Sequence, residues 1–157
     1  MRKKFVKDSQ VEMTQLVLPN DTNQLGNLLG GRLMEWMDIA AAIAAQRHSN
    51  RICVTAGVDE LAFHHPIKLG EVVTLRVSVN RVFGTSMEVG VKVCAENQLT
   101  RNRRTTNTAY FTFVAVGDDS LPANVDHIVP QTATEKRRYN GALKRRQIRL
   151  ARRKNLS

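Results

Sequence analysis

The sequence predicts an α+β protein in which one long, buried helix is wrapped by an antiparallel sheet, with a basic helix at the C-terminal end. Three observations support this fold class. An almost wholly apolar, alanine-rich segment around residue 40 is typical of an enclosed helix. Residues 52–117 alternate between apolar and polar side chains with the two-residue period of strands that bury one face. Residues 131–154 are strongly charged and have few apolar positions.

The length of 157 residues points to one domain with room for a sizeable core. A hydrophobic fraction of 42% and a charged fraction of 24% are ordinary for a globular protein and argue against a mostly disordered chain. We assign residues 1–130 to this domain and residues 131–157 to a basic helical tail.

The first elements are a strand, a loop and the apolar helix. Residues 11–18 predict the strand, and residues 19–31 form a loop rich in turn-forming residues that ends in two glycines. The helix is expected from Arg32 to about His48. Between residues 33 and 45 it carries only two polar side chains, so we expect it to be buried almost all round.

Four long strands are predicted after the helix, and they must cover it. Alternating runs lie at residues 52–65, 73–80 and 87–93, and the last run lies at residues 110–116. His64 and His65 are neighbours on the first strand, so their side chains are expected on opposite faces. The last strand is apolar on both faces, which suits a central position. Residues 118–130 hold three acids and two prolines and are expected to leave the sheet as a loop.

The net charge of +10 is concentrated near the C-terminal end. Residues 135–157 contain ten lysines and arginines and one acid, whereas the first 134 residues contain fourteen and thirteen. Such a tail can bind nucleic acid, phosphates or an acidic lipid surface, or it can be a solvated helix at a subunit edge. With aromatic residues at 5%, the stacking of single-stranded bases has little support.

The cysteine content and the terminal residues indicate a cellular compartment. Cys53 and Cys94 are too few for a disulfide framework, and no apolar stretch of a secretory signal follows the basic start. The longest wholly apolar run, Ile39–Ala45, is far shorter than the ~20 residues of a membrane span. We therefore expect a cytoplasmic protein with reduced thiols and no membrane span.

The strongest candidate for chemistry is Asp38, two turns into the apolar helix. A buried carboxylate is costly unless it is paired, protonated or functional, so we interpret Asp38 as functional. Glu35 lies one turn earlier on the same face, close to the helix start, and we interpret it as solvated. The alternative for both is a helix face that meets solvent at a groove between subunits.

Two features before the helix complete the candidate site. Gly30 and Gly31 permit a ligand to approach the helix start closely. The free N–H groups and the positive dipole end there can polarise a carbonyl oxygen or hold a phosphate. The alternative is a tight turn. Asn23, in the preceding loop, is either a turn or cap residue or a polar group of the site.

Other chemistries lack support in the sequence. The histidines and cysteines do not have the spacing of metal ligands, and the glycine fingerprints of common nucleotide sites do not occur. We therefore predict no metal and no cofactor.

Several spaced motifs resemble the acyl-CoA thioesterases of the hotdog fold. They are PNDTNxxGNxxGG followed by Met34 and Asp38, TxxVD from Thr55, FxxPIxxGE from Phe63, GTSMEVG from Gly84 and NTxYF from Asn107. The basic run EKRRYNGALKRR also has counterparts in that family, so the resemblance covers residues 11–150.

The resemblance implies an active site at a dimer interface. In the hotdog fold a long helix is wrapped by an antiparallel sheet, dimers form edge to edge, and this group commonly forms trimers of dimers, which are hexamers. An asparagine before the helix and an aspartate on the helix of the other subunit form the catalytic pair, and they match Asn23 and Asp38. The matching N–H groups of Gly30 and Gly31 would hold the thioester carbonyl.

The resemblance also implies where coenzyme A binds. Its contacts are expected at Thr55, Asp59, Thr85 and Ser86. Two positions depart from the family pattern. Leu29 stands where many relatives have histidine, and Phe83 stands where a basic residue or glycine is common.

The implied function is hydrolysis of fatty acyl-CoA to free fatty acid and CoA. Asp38 would act as general base or nucleophile, and Asn23 would orient the water or the carbonyl. One alternative is a non-catalytic acyl-CoA sensor or regulator of the same fold, which does not need the helix carboxylate. Another is a nucleic-acid-binding protein that uses the basic tail, which leaves Asp38 unexplained. The expected partners are acyl-CoA and further copies of the chain, with nucleic acid disfavoured.

Overall fold

The structure is a computed structural model that describes residues 3–59 and 61–156. The helices are α1, Gly30–Ser49, and α2, Ala133–Leu156. The strands are β1, Lys4–Phe5; β2, Val11–Leu16; β3, Ile52–Asp59; β4, Val72–Phe83; β5, Ser86–Asn97; β6, Asn102–Val116; and β7, Ile128–Val129. The outer limits of the two segments assigned from the sequence, residues 1 and 157, lie outside the described residues, and the division at residue 130 stays a prediction.

One antiparallel sheet carries the core, in the strand order β2-β4-β5-β6-β3. The predicted alternation is confirmed, because the inward-facing side chains of its long strands are almost fully buried against α1. These residues include Leu75, Val79, Val89, Val91, Phe111 and Phe113. The last long strand, β6, has a neighbour on each side, as its two apolar faces predict. The predicted α+β architecture is therefore confirmed.

The helix α1 is amphipathic within one chain, which corrects the expectation that it is buried all round. Its alanines and Met37 are buried, but Met34 and Ile39 remain 39% and 44% exposed. Asp38 is only partly buried. The sheet covers one side of α1, so the apolar residues on the other side face outward. The helix also begins two residues earlier than predicted, and Gly30 and Gly31 form its first turn.

Two short strands lie beside the far end of α1. The strands β1 and β7 pair in parallel, an arrangement that the sequence analysis missed. Lys4 Nζ donates to the carbonyl oxygen of His48 at 2.7 Å and to Asn50 Oδ1 at 3.0 Å. Because α1 ends here, this cation also interacts favourably with the negative end of the helix dipole.

The strand β3 is shorter than predicted and ends at Asp59. Residue 60, in its expected continuation, lies outside the described residues. His64 and His65 are exposed and lie outside any strand, so the argument that they point to opposite faces of one does not apply. Within residues 3–59 and 61–156, no three His, Cys, Asp or Glu side chains are grouped closely enough to hold a metal ion.

The predicted basic C-terminal helix, α2, is confirmed, and it packs on the outer face of the sheet. Arg145 places Nη2 2.7 Å from Glu88 Oε1, and Glu88 is completely buried. The guanidinium group of Arg145 also stacks on the ring of Tyr110 at 3.7 Å from its centroid. The alternation along β5 predicts correctly that Glu88 lies on the outer face of the sheet. This face is not exposed at Glu88, because α2 covers the side chain and excludes solvent. Neither helix of the described part of the chain is long and apolar enough to cross a membrane.

Candidate active site

A cleft of about 300 Å³ opens at the start of α1. The loop before α1, the first turns of α1, the segment after β3 and the strand β6 enclose it. Its lining includes Asn23, Gly30, Leu33, Phe63, Ile67 and Asn107. Two of the predicted site residues, Asn23 and Gly30, therefore come together here.

A larger groove of about 860 Å³ lies on the outer face of the sheet beside α2. Its lining includes five cationic side chains, among them Arg76, Lys92 and Arg138. None of the predicted site residues lines it, so its size alone does not make it the candidate site.

The first turn of α1 offers N–H groups that the helix itself does not use. The first backbone bond of the helix runs from the N–H of Leu33 to the carbonyl oxygen of Leu29 at 3.1 Å, and no side chain caps the helix start. A Cβ atom on Gly30 would lie 3.3 Å from the ring of Phe63, so glycine permits this wall of the cleft to pack closely. On Gly31 a Cβ would meet nothing within 4 Å. The close approach inferred from the glycine pair therefore applies to Gly30 within one chain.

Asp21, which the sequence analysis did not single out, fastens the loop to the helix start. Its carboxylate is largely buried, accepts a hydrogen bond from the N–H of Leu18 at 2.9 Å and lies 3.4 Å from Nε of Arg32. The carbonyl oxygen of Asp21 accepts the N–H of Leu29 at 2.9 Å. These contacts set the position of Asn23 relative to α1.

Asn23 forms the turn that its residue type predicts. Its Oδ1 accepts hydrogen bonds from the N–H groups of Leu25 at 3.0 Å and Asn27 at 3.2 Å. Among the described residues no hydrogen bond uses its Nδ2. The turn thus fixes the side-chain amide of Asn23 and leaves its Nδ2 as a hydrogen-bond donor beside the cleft.

Asp38 does not line this cleft. It is eight residues from Gly30, which corresponds to about 12 Å along the helix axis. Thr55 of the edge strand β3 donates its hydroxyl to Asp38 Oδ1 at 2.6 Å. The structure therefore pairs Asp38 with Thr55 and keeps this pair separate from Asn23 within one chain. Glu35 is exposed, as interpreted, and lies 4.0 Å from Arg32.

Three of the residues expected to contact coenzyme A lie close to α2. Asp59 pairs with Arg149 at 2.5 Å. Ser86, the first residue of β5, accepts a hydrogen bond from Arg146 at 3.5 Å, and Thr85 precedes it in the turn that joins β4 and β5. The guanidinium of Arg146 lies over the ring of Phe83, 4.5 Å from its centroid. Phe83, which departs from the family pattern, therefore stacks against a cation of α2.

A partly buried ion pair, which the sequence analysis also missed, holds the wall of the cleft. Arg104 binds both carboxylate oxygens of Glu71, at 2.7 and 2.9 Å, and donates to the carbonyl oxygen of Pro66 at 2.9 Å. Glu71 also accepts the N–H of Lys68 at 2.8 Å. Hydrogen bonding from Arg104 lowers the pKa of Glu71 below its ordinary value, so the pair stays ionised.

Comparisons with known proteins place the chain in a family. Residues 25–101 match the family model of the thioesterase superfamily. The chain is 39% identical over 142 residues to mouse acyl-coenzyme A thioesterase 11, a match that covers 90% of this chain but only 24% of the mouse protein. It is 40% identical over 142 residues to the uncharacterised acyl-CoA thioester hydrolase YkhA of Bacillus subtilis, with 90% of this chain and 83% of that one covered.

Solved structures show the same fold. An apo-hexameric acyl-CoA thioesterase matches with a TM-score of 0.93 and 38% identity, over 97% of both chains. The acyl-CoA hydrolase of Staphylococcus aureus in complex with butyryl coenzyme A, coenzyme A and coenzyme A disulfide matches with a TM-score of 0.92 and 32% identity, over 98% of this chain and 94% of that one.

Further structures of the Staphylococcus aureus protein are of alanine variants of an asparagine, an aspartate and a threonine. These residues have the same spacing along that chain as Asn23, Asp38 and Thr55 have here. The fold, the loop and helix start, and the similarity along almost the whole sequence agree: this chain belongs to the hotdog-fold acyl-CoA thioesterases of the thioesterase superfamily.

Proposed function

We propose that the protein is an acyl-CoA thioesterase, which hydrolyses fatty acyl-CoA to free fatty acid and CoA at sites shared between two protomers. The observation that carries the proposal is the separation of two half-sites. One is the cleft with Asn23 and the free N–H groups of the first turn of α1. The other is the Asp38–Thr55 pair, on the side of α1 that the sheet leaves exposed. Each holds groups that thioester hydrolysis needs, and neither is sufficient alone.

The edge of the sheet supports the pairing of two protomers. The strand β3 lies at one edge, and its Ile52 and Val54 are 69% and 49% exposed. The exposed Met34 and Ile39 of α1 add apolar surface. An open edge strand with apolar side chains is suited to pairing with another strand. We propose that a second copy covers this surface, and that dimers assemble further into a hexamer, the state named for a similar thioesterase.

The proposed chemistry divides the reaction between the half-sites. The thioester carbonyl oxygen accepts hydrogen bonds from the first turn of α1 at Gly30 and Gly31 and from Nδ2 of Asn23. These donors stabilise the negative charge that develops on this oxygen, and the loss of one such donor typically costs ~10²–10³ in rate. As the tetrahedral intermediate collapses, the carbon–sulfur bond breaks and CoA leaves as a thiolate that is then protonated.

Asp38 supplies the nucleophile in either of two ways. As general base it removes a proton from a water whose oxygen attacks the thioester carbon. As nucleophile it attacks that carbon itself and forms an anhydride that water hydrolyses. Thr55 donates to Oδ1 of this carboxylate and leaves Oδ2 for the reaction.

We propose that the nucleotide part of CoA binds near Asp59, Thr85 and Ser86, where α2 adds positive charge. The exposed lysines and arginines of α2 can attract the phosphates of CoA. Its inner arginines already pair with carboxylates of the sheet, which favours a helix built into the fold over a nucleic-acid-binding tail. The free thiols of Cys53 and Cys94 support a cytoplasmic location.

The test is the alanine substitution of Asp38. We expect Asp38→Ala to lower kcat by at least ~10², since general-base assistance contributes ~10²–10⁴. Asn23→Ala should reduce kcat less, because this residue positions and polarises without transferring a proton. Glu35→Ala, which removes an exposed carboxylate from the same helix, is the matched control and should retain most activity. Thiol release from acyl-CoA is the assay, and circular dichroism establishes that each variant is folded.

Mixing the two impaired variants tests the shared site. In a heterodimer, the Asp38→Ala protomer supplies an intact Asn23 and the Asn23→Ala protomer supplies an intact Asp38. One of the two shared active sites is therefore complete, and mixing should restore part of the activity. Normal turnover by Asp38→Ala would refute the proposal and favour a sensor that binds acyl-CoA without hydrolysing it. A mixture without recovered activity would refute only the sharing between protomers.

A further inference from the structure

Phe63 forms part of the wall of the cleft at the start of α1, and the chemistry described so far gives it no role. It lies in the segment between β3 and β4, and it lines the cleft together with Gly30. Its side chain is 48% exposed. Ligand pockets are lined mostly by apolar and aromatic side chains, so a half-exposed ring in this wall is available to a bound substrate.

Hydrogen bonds hold the backbone on both sides of Phe63. Nδ2 of Asn107 donates to the carbonyl oxygen of Ala62. Nη2 of Arg104 donates to the carbonyl oxygen of Pro66 at 2.9 Å. Both donors belong to β6, a strand with a neighbour on each side, so they tie the segment to the body of the sheet. The ring is therefore presented to the cleft from a fixed backbone, and its position can determine which substrates fit.

The ring of Phe63 also lies against the first turn of α1. A Cβ atom added to Gly30 would lie 3.3, 3.5 and 3.6 Å from three carbon atoms of this ring. Carbon atoms in favourable contact are about 3.5–4.0 Å apart, so a single methyl group would slightly overfill the gap between Gly30 and the ring. In an α-helix the bond from Cα to Cβ tilts toward the N-terminus, the end at which the free N–H groups point out. The ring therefore borders the space in front of these N–H groups.

A thioester bound at this turn, as proposed above, brings its first acyl carbon beside the ring. The bound oxygen and the α-carbon are both bonded to the carbonyl carbon, so the α-carbon lies only two bonds from the oxygen. Leu28, Pro66 and Ile67, which line the same cleft, have apolar side chains that suit an acyl chain. The other end of the substrate, the nucleotide part of CoA, is assigned to the neighbourhood of α2, which leaves this cleft for the acyl group.

We propose that Phe63 determines the acyl specificity of the protein: its ring excludes thioesters that carry a methyl branch on the side of the α-carbon that faces it. The inference rests on the proposed function. A straight chain presents only hydrogen atoms at this carbon and passes the ring. A methyl branch on the facing side needs the space that the ring fills. One added methylene in a packed apolar pocket changes kcat/KM by about 10–200-fold, which sets the expected size of the exclusion.

The experiment measures thiol release from a straight-chain acyl-CoA, of the length that the wild-type protein hydrolyses fastest, and from the two configurations of its 2-methyl derivative. Phe63→Ala should raise kcat/KM for one configuration, relative to the straight chain, by at least ~10-fold over the wild-type value. A merely structural role of Phe63 cannot produce such a gain. Leu69→Ala is the matched control, because Leu69 is 49% exposed, follows the same segment and does not line the cleft; both relative values should stay at the wild-type level.

Three results would overturn the inference. In the wild-type protein, kcat/KM values for both configurations close to that for the straight chain would show that nothing excludes the branch. An equal loss on all three substrates in Phe63→Ala would assign the ring to the fold. The same gain in Leu69→Ala would attribute it to a loosened segment.

Two further measurements keep the test decisive. If Phe63→Ala does not fold, Phe63→Leu, which removes the aromatic ring but keeps an apolar side chain, must show a smaller gain for one configuration. Absence of thiol release from any straight-chain acyl-CoA by the wild-type protein refutes the proposed function. The dissociation constants of the same three compounds then test Phe63 separately, and an unchanged ratio of affinities in Phe63→Ala would overturn its assignment.

Discussion

Replacement of Arg145 by methionine is expected to destabilise the folded chain strongly, because it leaves a buried carboxylate short of partners. Glu88 is 0% exposed, and Arg145 donates to both of its oxygens, with distances of 2.7–3.1 Å. The contacts that remain are those from Asn80 at 2.9 Å and from Arg149 at 3.3 Å. Methionine keeps most of the length of the side chain and removes the charge and the N–H groups.

The size of the effect follows from the burial of Glu88. Leaving a buried charge without any partner costs about 3–5 kcal/mol. Because Arg149 and Asn80 stay in contact with Glu88, we expect the lower end of that range, about 3 kcal/mol. For a chain of this length each kcal/mol lowers Tm by about 2–4 °C, so Arg145→Met should unfold roughly 6–12 °C below the wild-type protein. The double variant Glu88→Met/Arg145→Met should recover much of this loss, since apolar residues that replace both charges are often neutral or stabilising.

Thermal and urea unfolding at one fixed protein concentration measure the effect, because assembly makes the apparent stability concentration-dependent. Lys144→Met is the matched control, since Lys144 is the exposed neighbour of Arg145 on the same helix. Equal stability of Arg145→Met and Lys144→Met would refute the reasoning. So would a double variant less stable than Arg145→Met.

Three further predictions follow from other parts of the structure. Arg104 lowers the pKa of Glu71 in the folded chain below its value of about 4.3 in the unfolded chain. The ionised carboxylate therefore stabilises the folded chain at pH values above about 4.3, and this stabilisation is lost as the pH falls through the lower pKa of the folded chain. Between about pH 6 and pH 3, Tm should therefore fall more steeply for the wild-type protein than for Glu71→Gln, and equal slopes would contradict this. Gly90→Ala places a Cβ atom 2.8 Å from the buried amide nitrogen of Asn80 and should lower the free energy of unfolding by about 1–3 kcal/mol. In the control Gly57→Ala the new Cβ meets nothing within 4 Å, so its Tm should lie closer to that of the wild-type protein. A lower Tm for Gly57→Ala than for Gly90→Ala would contradict this prediction. Raising the salt concentration should increase KM for acyl-CoA but not for the corresponding acyl-pantetheine, which has no nucleotide phosphates; parallel changes would exclude a role for the cations of α2.

The sheet could be predicted from the sequence because each of its long strands buries one face. Because one face is buried, apolar and polar side chains alternate along each strand. This alternation identifies β4 and β5 without knowledge of the strands with which they pair. The two-residue strands β1 and β7 are too short to show any period. The exposure of Met34 and Ile39 could not be predicted either, because an apolar side chain does not reveal whether its cover belongs to the same chain.

The candidate site was predictable only in part. Asn23, Gly30 and Asp38 stand out through local features: a turn, a glycine pair and a charge in an apolar helix. Glu88 does not, because it occupies an ordinary outward position of an alternating strand. Its importance arises from its contact with Arg145, which lies 57 positions later in the sequence, and no local pattern encodes that contact.

The arginines that attach α2 to the sheet do not by themselves fix the position of the helix along it. Arg145, Arg149 and Arg153 follow one another at intervals of four residues and share one face of the helix. A slide of α2 by about 6 Å, four residues, would put Arg149 in the place of Arg145 and Arg153 in the place of Arg149. The same slide would force the long side chain of Arg146 into the site of Ala142, which is 0% exposed. The small residue therefore sets the register of the helix, and a bulky substitution there would leave α2 with two competing alignments of similar charge pairing.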